Sequence, residues 1–171
     1  MDAITLSELL LARDARAGRQ FVYLRENPGK TLVCLTVNLP GSVKRDARSL
    51  LIADAGVQAV RTALQPVSEE LFDLPTGFEG YFLVVGEPEQ VKRTCCEVED
   101  SHPLGRLLDL DVLIAGDPVP MPLSRSLLGM EERRCLLCGR PARECIRART
   151  HDRAALYMEI SRLLDDFANN L

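Results

Sequence analysis

The chain has 171 residues, of which 46% are hydrophobic and 27% charged, and its formal net charge is −4. This composition indicates one globular domain over residues 1–171, and the negative charge argues against nucleic-acid binding because no positive excess can displace counterions. No apolar run approaches a membrane span and no cleavable leader is evident. We therefore expect a cytoplasmic protein without a membrane partner, whose six cysteines are thiols or metal ligands.

Helix and strand signals alternate along the first half of the chain. Apolar residues spaced three and four apart predict two long helices, and Ser7 is a plausible cap of the first one. Leu50, Leu51, Val57 and Val60 are core candidates of the second helix. In chain order we expect a helix over 6–27, a strand over 31–38, a turn over 38–41, a helix over 44–64, a strand over 79–86 and a helix over 89–100.

The second half begins with a short alternating strand over 107–114 and a turn over 116–118. The proline-spaced segment that follows, as far as Leu127, can form only an edge strand or irregular structure. Residues 134–151 are a helical segment rich in cysteine and arginine, and 152–169 is a final amphipathic helix. The alternation of elements predicts an α/β (α+β) fold in which helices cover a mixed β-sheet.

The alternation in the short strand puts Asp109 and Asp111 on one face and leucine and valine on the other. Adjacent carboxylates repel each other and resist burial, and a cation held between them removes both costs. Two-metal centres for phosphoryl transfer need about three carboxylates, and Glu97 or Glu99 would supply the third. The alternative is a solvated strand end, since a short Asp-x-Asp pair occurs in many proteins without a metal.

Three residues just before the aspartates suit phosphate chemistry. Gly105 lets a backbone approach a ligand closely, and Arg106 offers a planar fork that matches phosphate oxygens. His102 could orient a phosphate or act as a base, or it could be a turn residue that makes a backbone hydrogen bond. A phosphate binder followed by paired carboxylates suggests metal-assisted phosphoryl or nucleotidyl transfer.

A second candidate metal site lies in the cysteine- and arginine-rich segment. Cys135 and Cys138 are separated by two residues, and Cys145 and His151 follow at short intervals, a set that could form a small zinc knuckle. The alternative is three buried, inert thiols. The remaining cysteines fall on apolar faces and are predicted to be core residues, namely Cys34, Cys95 and Cys96.

The same segment is strongly basic. Residues 131–153 contain seven arginines, no lysine and four acidic residues. Arginine without lysine favours recognition of phosphates or of an acidic protein surface, although a solvated face is the simpler interpretation.

Residues 99–112 closely resemble the signature of the apo-citrate lyase phosphoribosyl-dephospho-CoA transferase family. Further stretches resemble the same family in the family's order, so that the resemblance spans nearly the whole chain: 10–16, 36–41 with Lys44, and 134–138 through Cys145 and His151. The resemblance implies an enzyme that transfers the prosthetic group of citrate lyase from triphosphoribosyl-dephospho-CoA to a serine of the small acyl carrier subunit, with release of pyrophosphate.

The resemblance also implies roles for individual residues, and it suggests nucleotidyltransferase-like chemistry by analogy. Polymerase-β-type nucleotidyltransferases carry a Gly-Ser pair about ten residues before their aspartates, which this chain lacks, so the fold likeness stays an analogy. Acyl carrier proteins are typically acidic, which makes the arginine-rich segment a candidate dock. The implied roles are Mg²⁺ binding for Asp109 and Asp111 and phosphate binding for Gly105 and Arg106, with Lys44 or Arg13 as a further phosphate contact.

Three alternatives remain open from the sequence. The first is the equivalent transferase for the carrier protein of malonate decarboxylase, which uses the same donor. The second is a zinc-stabilised interaction module without catalysis, and the third is a regulator that binds the donor without transferring it.

Overall fold

The computed structural model describes residues 3–116 and 120–170, which form two compact units, Met1–Leu123 and Ser124–Leu171. The predicted turn over 116–118 lies largely outside the described residues, and a single domain over 1–171 stays a prediction. The first unit contains α1 (Leu6–Glu26), β1 (Thr31–Val37), α2 (Ala47–Leu64), β2 (Ser68–Leu74), β3 (Gly77–Val84), α3 (Pro88–Ser101), β4 (Leu108–Ile114) and β5 (Met121–Pro122). The second contains α4 (Ala142–Ala148) and α5 (Arg153–Ala168).

The five strands form one sheet in the order β2-β3-β1-β4-β5, with β1 at its centre. The connection through α2 carries the chain from β1 past β3 to β2, and the connection through α3 carries it from β3 past β1 to β4. This is an interlocked pair of split β-α-β units. The predicted α/β class is confirmed. The sheet differs from the predicted mixed sheet, because each helical connection skips a strand and all the described pairings are therefore antiparallel.

The two faces of the sheet pack against different helices. On one face, Tyr23 and Leu24 of α1 pack against a buried cluster that includes Cys34 and Tyr81. On the other face, Gly56 of α2 lies so close to Leu108 that an added Cβ would be 2.7 Å from the leucine Cδ2. The sheet is therefore a middle layer between α1 on one side and α2 on the other.

The helix starts differ in detail from the sequence prediction. Thr5, not Ser7, caps α1, because its hydroxyl accepts from the Glu8 backbone while the Glu8 carboxylate accepts from the Thr5 backbone. α2 begins after Asp46, which forms the same reciprocal pair with Ser49. None of the described helices has the length and apolar character needed to cross a membrane.

The core prediction for α2 is half right. Val57 and Val60 are buried, as predicted, but Leu50 and Leu51 are exposed. The inward face of α2 is instead formed largely by small residues, which let the helix approach the sheet closely: Ala53, Ala55 and Gly56.

Strand β2 has no counterpart in the sequence prediction. It pairs with β3 through the two-residue connection of Pro75 and Thr76, and it lies at the edge of the sheet. The strand is acidic and only partly buried, which is typical of an edge strand. The acidic composition weakens the usual sequence signal for a strand.

The outer edge of β4 is completed by side chains of α3. β5 pairs with Leu113 and Ile114, and among residues 3–116 and 120–170 no strand pairs with Leu110 on that side. The Leu110 N–H donates to Glu99 Oε1 at 2.8 Å, and the Lys92 ammonium donates to the Leu110 carbonyl at 2.8 Å. Both side chains are buried, so α3 supplies hydrogen-bond partners to the backbone of Leu110 at the edge of the strand that carries the two aspartates.

Gly105 tests how tightly α3 packs on the turn before β4. An added Cβ at Gly105 would lie 2.5 Å from the Val98 carbonyl oxygen and 2.6 Å from that of Glu99, and a helix backbone cannot give way. We expect Gly105→Ala to lower the free energy of unfolding by about 1–3 kcal/mol in urea denaturation. Gly18→Ala is the control: it adds a methyl group to open space on α1 and should stabilise by about 0.5–1 kcal/mol. A Gly105→Ala variant as stable as the parent would contradict the packing.

Candidate active site

The two aspartates of β4 lie on the sheet face that α1 covers. Asp109 is paired in register with Thr36 of β1, and Asp111 with Cys34, which belongs to the cluster beneath α1. Both aspartates are partly buried. The intervening side chains point to the opposite face and are fully buried, as the alternation predicts: Leu108, Leu110 and Val112.

Asp111 resists ionisation in this position. Burial is the main cause, and together with the neighbouring Asp109 carboxylate it raises the pKa of Asp111 to about 6, although Lys92 and Arg16 act in the opposite direction. The paired carboxylates therefore have the electrostatic cost that the sequence predicts, and a bound cation would relieve it.

A third carboxylate, Glu79 of β3, lies on the same face. Thr36 separates it from Asp109, since Thr36 is paired with Glu79 on one side and with Asp109 on the other. The Glu79 side chain is 2% exposed. It accepts hydrogen bonds from Arg16 Nε at 3.0 Å, Arg19 Nη2 at 2.6 Å and the Tyr81 hydroxyl at 2.5 Å.

These contacts keep Glu79 ionised despite its burial. Burial is the largest influence and raises the pKa of Glu79, but the bonds from Tyr81, Arg19 and Arg16 outweigh it and hold the pKa below the ordinary value. Burial and the bond to Glu79 raise the pKa of Tyr81, which stays a hydroxyl. The result is a charged, fully hydrogen-bonded anchor between α1 and the sheet.

Aromatic contacts hold α1 in place beside this anchor. Tyr23 stacks on Tyr81 with ring centroids 5.0 Å apart, and the Arg19 guanidinium lies 5.3 Å from the centre of the Phe72 ring. The Gln20 amide points to Cys34 Sγ at 3.5 Å. α1 therefore presents a row of polar side chains to the sheet.

The two basic residues predicted as a further phosphate contact lie near each other. The Lys44 ammonium donates to the Leu39 carbonyl at 2.6 Å, in the loop after β1. Burial lowers the pKa of Lys44, and the charge of Arg13 on α1 lowers it further. Arg13 lies one helical turn from Arg16, which bonds to Glu79, so Arg13 lies near the Glu79 anchor.

Sequence reasoning missed four residues of this face. The sequence does contain patterns that could have indicated them. Arginines recur at intervals of three along α1, and a glutamate lies two residues before a tyrosine in an otherwise apolar strand. What the sequence could not show is that these two patterns meet across the fold. The residues are Arg16, Arg19, Glu79 and Tyr81.

The two glutamates predicted as a possible third metal ligand lie on α3, and the charge of Glu99 contributes to the raised pKa of Asp111. Glu99 is engaged by the Leu110 backbone at the edge of β4, and Glu97 is exposed on α3. The carboxylate that shares the aspartates' face is Glu79. Metal binding by Glu97 or Glu99 stays a prediction.

The residues between α3 and β4 form a tight turn. His102 ends α3, and its Nδ1 accepts from the Leu104 backbone at 3.0 Å, which confirms the predicted turn hydrogen bond. Burial lowers the pKa of His102, so the ring is neutral near pH 7 with its proton on Nε2. Arg106 is partly buried in the turn Gly105–Leu107, and the close contact of Gly105 is with the α3 backbone.

The second unit contains the predicted cysteine and histidine cluster. A bridge between Arg134 and Pro141 folds the Cys-x-x-Cys segment back on itself, α4 supplies Cys145, and His151 precedes α5. Cys138 Sγ lies 3.5 Å from Cys145 Sγ and 3.4 Å from His151 Nε2. One ligand atom from each of the four residues lies within 4.8 Å of the others, so the cluster could hold a metal ion.

The cluster thiols have unequal acidities. The backbone N–H of Arg140 is the main cause that lowers the pKa of Cys138 to about 6, with further bonds from the Arg140 side chain and His151. Burial is the main cause that raises the pKa of Cys145 to about 11, and the neighbouring thiols add to it. The Cys138 thiol ionises readily, and a bound cation would favour ionisation of the other thiols of the cluster.

Several arginines of the predicted docking segment have local partners. Arg134 pairs with Glu131 at 2.9 Å, and Arg143 pairs with Glu132 at 2.6 Å. Arg140 interacts with the cluster thiols, which raise its pKa. The segment is therefore partly neutralised by its own acidic residues.

A carboxylate pair beside fixed guanidinium and ammonium groups is typical of an enzyme that transfers a phosphate-bearing group. The family model for apo-citrate lyase phosphoribosyl-dephospho-CoA transferase matches residues 4–167, and the chain belongs to this family. The family resemblance predicted from the sequence is therefore confirmed.

Curated relatives with the same name align with this chain over nearly their full length. A "Probable apo-citrate lyase phosphoribosyl-dephospho-CoA transferase" of Streptococcus pyogenes serotype M18 (strain MGAS8232) is 38% identical over 171 residues, which cover 98% of this chain and 89% of that relative. A relative of the same name from Vibrio cholerae serotype O1 (strain M66-2) is 35% identical over 173 residues, which cover 97% and 94%.

The raised pKa of Asp111 predicts an unusual pH dependence of stability. The folded state holds this proton more tightly than the unfolded state, so the group stabilises the fold below about pH 4, and this contribution is lost as pH rises through about 6. We expect Asp111→Asn to raise the free energy of unfolding by about 1–3 kcal/mol at pH 8 in EDTA, and by little at pH 4.

Asp73→Asn is the control for this experiment. Asp73 is exposed and paired with Arg45, which lowers its pKa, so its removal should slightly reduce stability at pH 8. Urea denaturation at several pH values measures both variants. An Asp111→Asn variant that is less stable than the parent at pH 8 without metal would contradict the burial argument.

Proposed function

We propose that this chain transfers phosphoribosyl-dephospho-CoA from triphosphoribosyl-dephospho-CoA to a serine of the citrate lyase acyl carrier subunit. In this reaction the serine oxygen forms a bond to the phosphorus nearest the donor's ribose, and the bond from that phosphorus to pyrophosphate breaks. The near-full-length match to the family supports the proposal most directly. The grouping of Asp109, Asp111, Arg13 and Lys44 about one sheet face supplies the chemistry that such a step needs.

Asp109 and Asp111 fit the binding of Mg²⁺. Magnesium is usually held by one or two carboxylates together with substrate phosphates and water, so the pair needs no third protein carboxylate. The raised pKa of Asp111 indicates that a positive charge bound here would stabilise the ionised carboxylates. When bound, Mg²⁺ neutralises the triphosphate of the donor and promotes ionisation of the acceptor serine.

The basic residues have the complementary task. Arg13, Lys44 and Arg106 would bind the donor phosphates and stabilise the charge that develops on the departing pyrophosphate. His102 would contact a phosphate of the donor, and its Nδ1 accepts from the Leu104 backbone in the turn before β4. The packed Gly105 would keep this turn rigid.

The comparisons favour this proposal over the alternatives from the sequence. The matched family and relatives are named for citrate lyase, which favours that carrier over the one of malonate decarboxylase. A transferase family covering residues 4–167 is also poorly compatible with a non-catalytic module or a donor-binding regulator. A reducing cytoplasm suits an enzyme with three adjacent metal-binding thiols.

We further propose that Cys135, Cys138, Cys145 and His151 bind a structural zinc ion. In a tetrahedral zinc site with Zn–S bonds of about 2.3 Å, neighbouring ligand atoms lie about 3.5–3.8 Å apart. The distances around Cys138 are close to these values. The zinc would tie the Cys-x-x-Cys bridge, α4 and the start of α5 together.

The intact mass of the carrier tests the main proposal. Purified protein, apo acyl carrier subunit, triphosphoribosyl-dephospho-CoA and Mg²⁺ are incubated, and mass spectrometry is expected to show addition of one phosphoribosyl-dephospho-CoA unit. EDTA should abolish the addition, and Asp109→Asn and Asp111→Asn should slow it by about 100-fold or more, because charge stabilisation of several kcal/mol is lost.

The acceptor serine and the fold provide the controls for that experiment. A carrier with its acceptor serine changed to alanine must stay unmodified, and both aspartate variants must keep the parent's circular dichroism spectrum. An unmodified carrier in the presence of folded parent enzyme would refute the transfer reaction.

Metal removal tests the zinc proposal. Native mass spectrometry should show one zinc ion per chain, and a zinc chelator should lower the Tm, because metal binding contributes to folding. Cys138→Ser should lack the zinc and show no further response to the chelator. Protein that is purified with added zinc, contains none and keeps its Tm in chelator would refute the site.

A further inference from the structure

Within the described part of the chain, Arg16 of α1 is held by one hydrogen bond, to Glu79. Its Nε donates to Glu79 Oε1 at 3.0 Å, and no hydrogen bond or ion pair to its Nη atoms is found among residues 3–116 and 120–170. The side chain is 28% exposed, whereas Glu79 is 2% exposed. The bond through Nε therefore holds the guanidinium at Glu79, and the edge formed by its two Nη atoms is available to a ligand.

Glu79 is itself immobilised. Its second oxygen accepts from Arg19 Nη2 and from the Tyr81 hydroxyl, and Arg19 packs over the rings of Phe72 and Tyr81. The contacts of Arg19 are therefore with side chains of the sheet, where it stabilises the fold. Arg16 is the member of the arginine pair whose outer edge has no described partner, so the anchor on Glu79 orients it and does not consume it.

The surroundings of Arg16 suit a polyphosphate. Arg13 lies one turn earlier on α1 and close to Lys44. Asp111 lies on the sheet face that α1 covers, and the positive charge of Arg16 acts to lower its pKa. A ligand along this face would meet positive groups of α1 and of the loop after β1, next to a carboxylate pair that fits a divalent cation. A polyphosphate with a bound divalent cation would fit both the basic groups and the carboxylate pair.

We propose that the outer edge of Arg16 binds the terminal two phosphates of the donor, the part that leaves as pyrophosphate, and that Glu79 is the positioning residue that orients this guanidinium. The inference rests on the proposed transfer reaction and names a residue for its leaving group. A planar guanidinium binds two phosphate oxygens at once, and negative charge grows on those oxygens as the phosphorus–oxygen bond breaks. An arginine that is already oriented stabilises that charge without reorganisation.

Inorganic pyrophosphate is the probe that separates this inference from the transfer reaction. Titration calorimetry with pyrophosphate and Mg²⁺ should show binding to the parent protein and a 10- to 100-fold weaker affinity for Arg16→Gln, since a charge-assisted bidentate contact is lost. Arg25→Gln is the matched control, because Arg25 lies on the same helix, is exposed and pairs only locally with Glu26. It should bind pyrophosphate as the parent does.

Glu79→Gln and Arg16→Lys examine the positioning role. Both keep a side chain of similar size, and both should weaken pyrophosphate binding in protein that unfolds cooperatively, because Gln loses the charge that holds Arg16 and Lys loses the planar fork. In the carrier assay, Arg16→Gln should reduce kcat more than it raises the donor KM, because charge on the leaving group is greatest in the transition state. If Glu79 serves the fold alone, Glu79→Gln lowers the urea midpoint and leaves pyrophosphate affinity unchanged.

The outcomes distinguish the two proposals. Pyrophosphate binding that depends on Arg16, in a protein that does not modify the carrier, would support the phosphate site and refute the transfer reaction. Carrier modification with unchanged pyrophosphate affinity in Arg16→Gln would support the transfer reaction and overturn the role of Arg16. Parent protein that binds no pyrophosphate at millimolar concentration would also overturn it.

Discussion

The buried carboxylate of Glu79 is the constraint on which the rest of the candidate site depends. A charge with 2% exposure is tolerated because two arginines and a tyrosine hydroxyl surround it. Removing one partner of a buried ion pair typically costs about 3–5 kcal/mol, since the remaining charge is left uncompensated. The same contacts fix α1, an otherwise largely exposed helix, against the sheet. Stability and the placement of the basic groups therefore rest on one network.

The antiparallel order of the sheet brings the acidic groups to this network. β1 lies between β3 and β4, so Glu79 and Asp109 are both neighbours of Thr36 although these two acidic residues are 30 positions apart in the sequence. One face of β4 is fully apolar and packs in the core, while the other carries the two aspartates. The strand thus serves the core and the site at once, and the core side fixes the direction in which the carboxylates point.

The sequence predicts what depends on neighbours along the chain. The facing of Asp109 and Asp111 follows from strand alternation, and the cluster of three cysteines and a histidine that could hold a metal ion follows from close spacing within 17 residues, 135–151. The bond between Arg16 and Glu79 joins residues 63 positions apart, which no local pattern reveals. β2 is not predictable from composition, because an acidic edge strand lacks the usual strand signal. The cap of α1 is Thr5 and not the predicted Ser7, because helix boundaries read from sequence are uncertain by one or two residues.

The side chains of Lys92 and Glu99 have a consequence for the behaviour of the protein in a crowded solution. A strand edge with unpaired backbone groups is a template on which another chain can add a strand, and this is a common start of aggregation. On β4 the backbone N–H and carbonyl of Leu110 are already bonded to a carboxylate and an ammonium from the same unit. The edge of the strand that carries Asp109 and Asp111 is therefore closed at Leu110 to pairing with a second copy. This protection comes from α3, whereas the candidate site uses side chains of β4 itself.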